Sequence, residues 1–255
     1  MPTVREIQRA TGDEPVTMLT AYDAPTAAIV DDAGIDVVLV GDSVGNAMLG
    51  YDSTLPVTLD QVASHTGAVA RAVDDALVVA DMPFLSYGTS EATSIENAGR
   101  LVKEAGANAV KLESGPHTVD LTERLVELGI PVMAHLGLTP QRVNQVGGYT
   151  QQGTTEDAAA EIRDLAEQHE AAGAFSLVLE HVPDEVAASV TEALDIPVIG
   201  IGAGSETDGQ VLVVTDVLGL SESVPPFAEA FGDMRSEMEE AVAAYRDAVE
   251  DGSFP

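Results

Sequence analysis

The sequence predicts an α/β protein whose strands and helices close into a TIM (β/α)8 barrel. Eight short apolar runs rich in Val, Ile and Leu alternate with amphipathic stretches along 255 residues. Near-continuous apolar strands are typical of parallel sheets that are covered on both faces, so the runs indicate parallel pairing. Eight such units in about 250 residues match the usual size of this barrel. We therefore expect one barrel domain that covers residues 1–255.

The predicted elements follow one another in a regular order. The strands are expected at 16–22, 35–42, 76–82, 108–114, 130–136, 175–181, 196–202 and 211–217. The helices are expected at 24–33, 59–73, 90–105, 117–128, 155–172, 184–194 and 227–249. Thr58 and Thr155 are N-cap candidates, because acidic residues follow each within a turn. The short link between the last two strands leaves room only for a brief or irregular helix. A doubly wound open sheet is the alternative, although such sheets more often have five or six strands.

The charge of the chain is strongly acidic. The formal net charge is −32, and only two lysines, Lys103 and Lys111, occur. Nucleic-acid backbones and anionic membrane surfaces bind basic patches, so neither is an expected partner. The acidic residues are spread over the whole chain, which excludes an acidic tail. This pattern favours adaptation to a high-salt cytoplasm, where salt screens the repulsion between like charges.

Composition excludes several further classes of protein. The hydrophobic fraction of 45% is sufficient for a large core and rules out disorder. The absence of cysteine excludes disulfides, thiolate nucleophiles and cysteine–zinc sites. No apolar run approaches the ~18 residues of a membrane span, and the first residues lack the apolar core of a signal peptide. We expect a soluble, cytoplasmic protein.

Ionisable and polar residues collect where the predicted strands end. In TIM-barrel enzymes the carboxyl ends of the strands form the active site. The residues at or near these ends are Asp42, Ser43, Asp81, Lys111, Glu113, His135 and Glu180. Randomly placed surface charges would not gather at one end of consecutive strands. The pattern therefore predicts a functional site at this end of the barrel.

Each of these residues also has a structural interpretation. The two aspartates could stabilise turns, Lys111 and Glu113 could form a salt bridge, and His135 could be a buried core histidine. Glu180 ends an apolar run, and burial there would raise its pKa, which suits a general base. Three carboxylates without cysteine favour a hard cation such as Mg²⁺ over zinc.

The remaining histidines are expected outside the site. His65, His117 and His169 lie on predicted helices or at their edges, where solvent exposure is the usual outcome. His181 follows Glu180, so strand alternation turns it away from the barrel interior. The glycine-rich segment GIGAGSETDG at 200–209 does not fit the dinucleotide-binding pattern, because Thr207 stands where its last glycine should be.

Segments spread over most of the chain resemble the ketopantoate hydroxymethyltransferase family. They run in the family's order from Val4 to Phe227 and include VVLVGDSVGNAMLGYDSTLPVTLDQVASHT, ADMPFLSYGTS, AVKLESG, PVMAHLGLTPQ, LVLEHVP and IPVIGIGAGSETDGQVLVVTDVLGL. The resemblance implies a barrel of the phosphoenolpyruvate mutase and isocitrate lyase group. It also implies transfer of a hydroxymethyl group from 5,10-methylenetetrahydrofolate, or a related pterin, to 3-methyl-2-oxobutanoate. The product would be 2-dehydropantoate, a precursor of pantothenate and coenzyme A.

The resemblance also implies roles for individual residues. Asp42, Asp81 and Glu113 match the residues that hold one Mg²⁺ per subunit. Glu180 matches the proposed base, which removes the C3 proton to give a Mg²⁺-stabilised enolate. The residues that match the keto-acid pocket are Asp42, Ser43, Asp81, Lys111 and His135. The family usually forms decamers, so a homo-oligomer is expected.

The chain departs from the family at three positions. Thr150, Thr154 and Pro226 stand where many relatives carry lysine or arginine, which implies different contacts to the anionic tail of a folate. The alternative function is another Mg²⁺-dependent keto-acid lyase or mutase of the same superfamily. Those lyases usually carry a cysteine acid, which is absent here. A barrel without catalytic activity would not need an intact set of acids at the strand ends.

Overall fold

The computed structural model describes residues 3–9 and 15–254, so the predicted domain limits at 1 and 255 lie outside the described residues. Its strands form a closed barrel in sequence order, and each consecutive pair is parallel. The strands are β1 (Val16–Thr20), β2 (Val37–Val40), β3 (Leu77–Asp81), β4 (Ala109–Glu113), β5 (Val132–Gly137), β6 (Ser176–Glu180), β7 (Val198–Ile201) and β8 (Gly209–Leu212). The predicted TIM barrel is confirmed.

The helices lie between the strands and after the last one. They are α1 (Val4–Gln8), α2 (Ala24–Asp32), α3 (Val44–Ala47), α4 (Leu59–Ala70), α5 (Glu91–Gly99), α6 (Val119–Glu127), α7 (Val143–Val146), α8 (Glu156–Ala171), α9 (Asp184–Ala193), α10 (Val214–Val217) and α11 (Met234–Glu250). A π-helical turn at Arg100–Glu104 extends α5. Thr58 and Thr155 cap α4 and α8 as predicted, because their side chains accept the amide protons of Gln61 and Ala158. No helix of the described residues is both long and apolar enough to cross a membrane.

Two predicted boundaries are wrong. The eighth strand was expected at 211–217, but β8 begins at Gly209 and the segment Val214–Val217 is helical. A Cβ at Gly209 would collide with the carbonyl oxygen of Val16, so the first residue of this strand has to be glycine. The last helix was expected from residue 227, but it begins at Met234, where the side chain of Asp233 accepts the amide proton of Ser236.

Alternate residues of the strands fill the barrel with apolar side chains. The interior cluster includes Met18, Val37, Leu39, Leu77, Val79, Ala109, Met133, Val178, Ile199 and Val211. A second cluster packs β5, β6 and β7 against α8 and α9. Val37 and Leu39, rather than Val38 and Val40, belong to the interior cluster. Asp42 follows the end of β2 by two residues, where strand alternation no longer applies.

The chain divides into two compact units, residues 1–211 and residues 212–255. The first contains the barrel strands up to Val211 and the helices α1 to α9. The second contains α10 and α11, and within it the amide of Phe231 donates to the carbonyl of Val217 at 2.8 Å. The expectation of a single domain stays a prediction.

Candidate active site

The polar residues of the candidate site continue the interior pattern of the barrel towards the carboxyl ends of the strands. Asp81 follows Val79 by two residues, Lys111 follows Ala109, His135 follows Met133, and Glu180 follows Val178. Because side chains alternate along a strand, these four side chains lie on the interior face above the apolar layer. The strand register pairs Asp81 with Lys111 and Gly137 with Glu180. The register therefore assembles the residues predicted from the strand ends.

A line of close polar contacts joins β3, β4, β5 and β6. Lys111 Nζ lies 3.0 Å from Asp81 Oδ1 and 3.1 Å from His135 Nδ1. An ammonium group has only protons to donate, so Nδ1 accepts and the neutral imidazole carries its proton on Nε2. That Nε2 lies 3.2 Å from Glu180 Oε2, although without the alignment of a hydrogen bond. The contacts connect a carboxylate, an ammonium, an imidazole and a second carboxylate.

Burial and neighbouring charges together determine the protonation states of His135 and Lys111. Desolvation, reinforced by the charge of Lys111, holds the pKa of His135 well below its ordinary value, so the ring is neutral. Desolvation also opposes the charge of Lys111. The nearby carboxylates of Asp81, Glu113 and Asp42 outweigh it and raise the lysine pKa above its ordinary value. Lys111 is therefore a buried cation at neutral pH.

The loop after β2 brings Asp42 and Ser43 to the same end. The amide of Asp42 donates to Asp81 Oδ2 at 2.9 Å, and Ser43 Oγ shares a hydrogen bond of 2.7 Å with the hydroxyl of Tyr22. A Cβ at Gly41 would lie 2.6 Å from Ser43 Oγ and 3.3 Å from Asp81 Oδ2, so this close turn requires glycine. Burial raises the pKa of Tyr22, and its phenol keeps its proton. The hydroxyl of Ser43 is thereby held beside the carboxylates.

The site contains more buried negative charge than Lys111 neutralises. Burial and the charge of Asp81 raise the pKa of Asp42, while burial and the charge of Asp42 raise the pKa of Glu113. Burial raises the pKa of Glu180 to about 7. Four carboxylates with one ammonium form a donor set that suits a hard divalent cation with oxygen ligands.

The carboxylates do not form a preformed cage. Among the described residues, no three acidic or histidine side chains converge closely enough to hold a metal ion together. Asp42 Oδ2 and Glu113 Oε2 instead accept hydrogen bonds from Gln141, at 2.8 Å and 2.9 Å. The type and charge of the donors fit Mg²⁺, and ligation by all three carboxylates requires a movement of their side chains.

Three residues that the sequence analysis did not assign take part in the site. Tyr22 contacts Ser43, while Gln141 and Tyr87 contact the carboxylate end of the barrel. Tyr22 is the last residue of the first predicted strand, while Tyr87 and Gln141 lie a few residues beyond the third and fifth predicted strands. Their position at or after the carboxyl end of a strand was the signal available for finding them.

The predictions for the remaining histidines have mixed outcomes. His117 is exposed, as predicted, and His65 is half-buried, with Nδ1 2.6 Å from the carbonyl oxygen of Tyr22. The prediction that His169 faces solvent is wrong, because this side chain is fully buried and its Nδ1 lies 3.1 Å from Thr122 Oγ1. Ile162, Leu165, Ala166 and His169 share the buried face of α8 at helical spacing. His181 has a φ of 48°, so strand alternation does not define its direction.

Comparison with known proteins gives the family. A family model described as ketopantoate hydroxymethyltransferase matches residues 2–255. The chain belongs to the ketopantoate hydroxymethyltransferase family. A 3-methyl-2-oxobutanoate hydroxymethyltransferase of Haloarcula marismortui is 71% identical over 100% of this chain and 94% of the relative. The same enzyme of Halobacterium salinarum is 68% identical over 100% and 94%, and that of Geobacter metallireducens is 50% identical over 99% and 96%. The chain is therefore an enzyme of this transferase family, and its relatives include proteins of halophiles.

Solved structures with much lower identity share the fold. Phosphoenolpyruvate phosphomutase from Streptomyces platensis subsp. rosaceus has a TM-score of 0.66 at 16% identity, over 98% of this chain and 88% of that one. A 2,3-dimethylmalate lyase, described as a member of the PEP mutase/isocitrate lyase superfamily, has a TM-score of 0.58 at 18% identity, over 98% and 88%. These likenesses confirm the barrel fold of the chain.

Proposed function

We propose that this member of the ketopantoate hydroxymethyltransferase family transfers a hydroxymethyl group to 3-methyl-2-oxobutanoate. The donor would be 5,10-methylenetetrahydrofolate or a related pterin, and the product 2-dehydropantoate, used for pantothenate and coenzyme A synthesis. The observation that carries the proposal is Glu180, whose largely buried side chain is 16% exposed and whose pKa is raised to about 7 by desolvation, at the end of a strand and 3.2 Å from His135 Nε2. A base with a pKa near the working pH combines the correct protonation state with a strong driving force for proton transfer.

Lys111 and Ser43 would bind the carboxylate of the keto acid. Lys111 supplies a buried positive charge, and Ser43 supplies a hydroxyl that Tyr22 holds in place. Asp42, Asp81 and His135 line the same end of the barrel and complete the pocket. A charge-assisted hydrogen bond to a carboxylate is stronger in a buried site than in water, so these groups would orient the substrate.

Asp42, Asp81 and Glu113 would hold one Mg²⁺ per subunit. Their all-carboxylate donor set and surplus negative charge support this assignment. A bound Mg²⁺ would polarise the keto carbonyl and lower the free energy of enolate formation. We assign binding of the keto acid and removal of its proton to side chains of the protein.

Glu180 would remove the C3 proton of the keto acid. Its Oε2 lies 3.2 Å from Nε2 of neutral His135, whose proton would stabilise the deprotonated carboxylate. The buried apolar residues that precede Glu180 in β6 reduce the solvation of this carboxylate. The carbon that loses the proton then forms a bond to the one-carbon unit of the donor as one of that unit's two bonds to donor nitrogen breaks. Water supplies the oxygen of the new hydroxymethyl group as the second carbon–nitrogen bond breaks, and the two donor nitrogens take up the C3 proton and one proton of the water.

The chain departs from many relatives at three positions that bear on donor binding. Thr150, Thr154 and Pro226, which stand where relatives often carry basic residues, are all exposed. An acidic protein with neutral residues at these positions attracts an anionic folate tail less strongly in dilute salt. This supports a donor with a different tail, or binding that depends on high salt.

The second candidate is another Mg²⁺-dependent keto-acid lyase or mutase. The structural likeness to phosphoenolpyruvate phosphomutase and 2,3-dimethylmalate lyase supports the same barrel and type of site. High identity to 3-methyl-2-oxobutanoate hydroxymethyltransferases over the whole chain favours the transferase instead.

Product formation tests the proposal. The protein is incubated with 3-methyl-2-oxobutanoate, Mg²⁺ and either methylenetetrahydrofolate or methylenetetrahydromethanopterin, in low and in multimolar KCl. We expect 2-dehydropantoate by NMR with one or both donors and no product without a donor. Failure with both donors at every salt concentration, by protein that is folded, would contradict the proposed reaction.

We also propose a cytoplasmic homo-oligomer, with decamers as the family's expected form. The exposed apolar side chains of α11 support association, since Met238, Val242, Tyr245 and Val249 recur at helical spacing on one face. Light scattering in molar KCl measures the assembly directly, and a monomer at micromolar concentration would contradict it.

A further inference from the structure

Gln141 is a buried glutamine that lies between two of the proposed metal ligands. It belongs to the short 3-10 turn Pro140–Arg142 that follows β5. Only 6% of its surface is exposed, and none of the roles assigned above involves it. A buried carboxamide requires partners for two N–H protons and a carbonyl oxygen, so its contacts indicate what holds it there.

The contacts of Gln141 reach three strand ends. Its Nε2 donates to Asp42 Oδ2 at 2.8 Å and to the carbonyl oxygen of Met82 at 3.1 Å. Its backbone N–H donates to Glu113 Oε2 at 2.9 Å. The Asp42 and Glu113 carboxylates, which belong to different strand ends, are therefore both fixed by one residue through two different donors.

Tyr87 determines the orientation of the Gln141 carboxamide. Its hydroxyl lies 2.8 Å from Gln141 Oε1 and 3.2 Å from the carbonyl oxygen of Glu113. The carbonyl oxygen of Met82 can only accept a hydrogen bond, so the nitrogen of the carboxamide must face it and its oxygen must face Tyr87. Burial raises the pKa of Tyr87, which keeps the donating proton on the phenol.

We propose that Gln141 is a positioning residue that restrains the carboxylates of Asp42 and Glu113 beside the metal site and limits the movement needed for ligation, with Tyr87 fixing its carboxamide. Gln141 holds one oxygen of each carboxylate, Asp42 Oδ2 and Glu113 Oε2. Mg²⁺ requires nearly octahedral geometry at about 2.0–2.1 Å, so its binding depends on ligand orientation more than the binding of Ca²⁺ does. The inference rests on the Mg²⁺ site of the proposed function.

The test compares the affinities of Mg²⁺ and Ca²⁺ for the wild-type protein and for Gln141→Met, by calorimetry in molar KCl without keto acid. Methionine keeps the length of the side chain and removes its hydrogen bonds. We expect Mg²⁺ affinity to fall by ~10–100-fold, the usual effect of removing a partner that orients a metal ligand. Ca²⁺ affinity should fall less, so that the preference for Mg²⁺ decreases. The turnover of Gln141→Met should return towards the wild-type value at high Mg²⁺. A variant with a distorted fold would keep a low turnover at every Mg²⁺ concentration.

Gln210→Met is the matched control, because the Gln210 side chain bonds Gly204 and Thr207 outside the site. It should keep wild-type affinities for both ions. Tyr87→Phe removes only the hydroxyl that orients the carboxamide, and we expect a smaller loss of Mg²⁺ affinity than in Gln141→Met. If Gln141→Met does not fold, the Mg²⁺ and Ca²⁺ affinities of Tyr87→Phe test the inference.

Two results would overturn the inference, and only the second would also overturn the proposed metal site. If the wild-type protein binds Mg²⁺ and the folded variants at Gln141 and Tyr87 bind both ions equally well, the inference is wrong and the proposed metal site stands. If the wild-type protein itself binds no Mg²⁺ with or without keto acid, the proposed metal site fails, and the inference fails with it.

Discussion

Lys111 is the buried cation around which the polar end of the barrel is organised at the scale of single residues. Its ammonium lies within 3.1 Å of both Asp81 and His135, which belong to the strands on either side. A buried charge without partners is very unfavourable, so the ion pair with Asp81 is essential to keeping Lys111 charged. The contact of Lys111 with His135 Nδ1 fixes the tautomer of His135, and Nε2 of the ring lies 3.2 Å from Glu180 Oε2.

The first prediction concerns the proposed metal ligands. Replacing Asp42 or Asp81 with Asn keeps the size of the side chain and removes a negative oxygen ligand. We expect Mg²⁺ affinity and turnover to collapse in both variants, each by ~100-fold or more, since hard cations bind carboxylates. Calorimetric titration measures the affinity, and the exposed Asp195→Asn is the control. Wild-type affinity and activity in both variants would remove these residues from the site.

The second prediction concerns stability and pH. Burial raises the pKa of Glu180 from 4.5 to about 7, so the folded state binds this proton more tightly than the unfolded state. The stability that protonated Glu180 contributes is complete below pH 4.5 and is lost as pH rises through 7. Glu180→Gln cannot lose a proton, so its free energy of unfolding should gain on that of the wild type by up to about 3 kcal/mol between pH 5 and 8, and its Tm should rise relative to the wild type over the same range. Melting curves in molar KCl with chelator test this; a constant difference in Tm would contradict it.

The residues that the sequence could predict are those fixed by strand periodicity. Asp81, Lys111, His135 and Glu180 lie at strand ends, where alternation and register determine the direction of a side chain. Gln141 and Tyr87 lie on loops, and no periodicity predicts where a loop returns. His169 was assigned to solvent because a single polar residue outweighed the apolar spacing of its helix face.

At the scale of elements, the loop after β5 depends on a glycine. Gly137 has a φ of +87°, and a Cβ there would collide with the carbonyl oxygen of Glu180. The amide of the next residue, Leu138, donates to that same carbonyl at 2.7 Å. The turn therefore connects β5 to the strand that carries the proposed base.

The third prediction compares two left-handed glycines. Gly129→Ala has open space around the new Cβ at a φ of +86° and should cost about 1–2 kcal/mol, the usual cost of that conformation. Gly137→Ala adds a collision with backbone, which should bring the loss to about 3 kcal/mol or more. Urea unfolding in molar KCl measures both. Equal losses would show that the turn after β5 relaxes freely.

The predicted start of a helix is confirmed where an N-cap residue directly precedes an amphipathic run. The starts of α4 and α8 were predicted from Thr58 and Thr155, whose side chains form the expected caps. The start of β8 was missed because the strand begins at Gly209, before the β-branched run VLVVT, and glycine is a residue type that strand propensity disfavours. The start of α11 was missed because Asp233 supplies the cap, and residues 227–233 before it are not helical.

At the scale of the whole molecule, the dominant feature is a net charge of −32. The exposed face of α8 shows its distribution: Glu156, Asp157, Glu161, Asp164 and Glu167 are all exposed. Repulsion among such charges destabilises the compact state in dilute salt, and it is screened when the Debye length falls to ~3 Å at 1 M. The high identity to proteins of Haloarcula marismortui and Halobacterium salinarum agrees with this interpretation.

The fourth prediction follows from this charge. Tm and activity should both rise from dilute buffer towards molar KCl, with Tm increasing by roughly 10 °C or more, because a few kcal/mol of relieved repulsion shifts Tm by about 2–4 °C per kcal/mol at this size. Melting curves and turnover across a KCl series provide the measurement. A Tm that is flat or falls across the series would contradict adaptation to high salt.

The assignment of Glu180 as the base that forms an enolate is the central claim, and exchange of the C3 hydrogen of 3-methyl-2-oxobutanoate with D₂O tests it most directly. NMR follows the exchange with Mg²⁺ and without any one-carbon donor, which isolates proton removal from transfer. We expect exchange with the wild-type protein and with the exposed control Glu185→Gln. Glu180→Gln should bind the keto acid but exchange ~10²–10⁴-fold more slowly. Exchange by Glu180→Gln at the wild-type rate would contradict the account, since another group would then be the base.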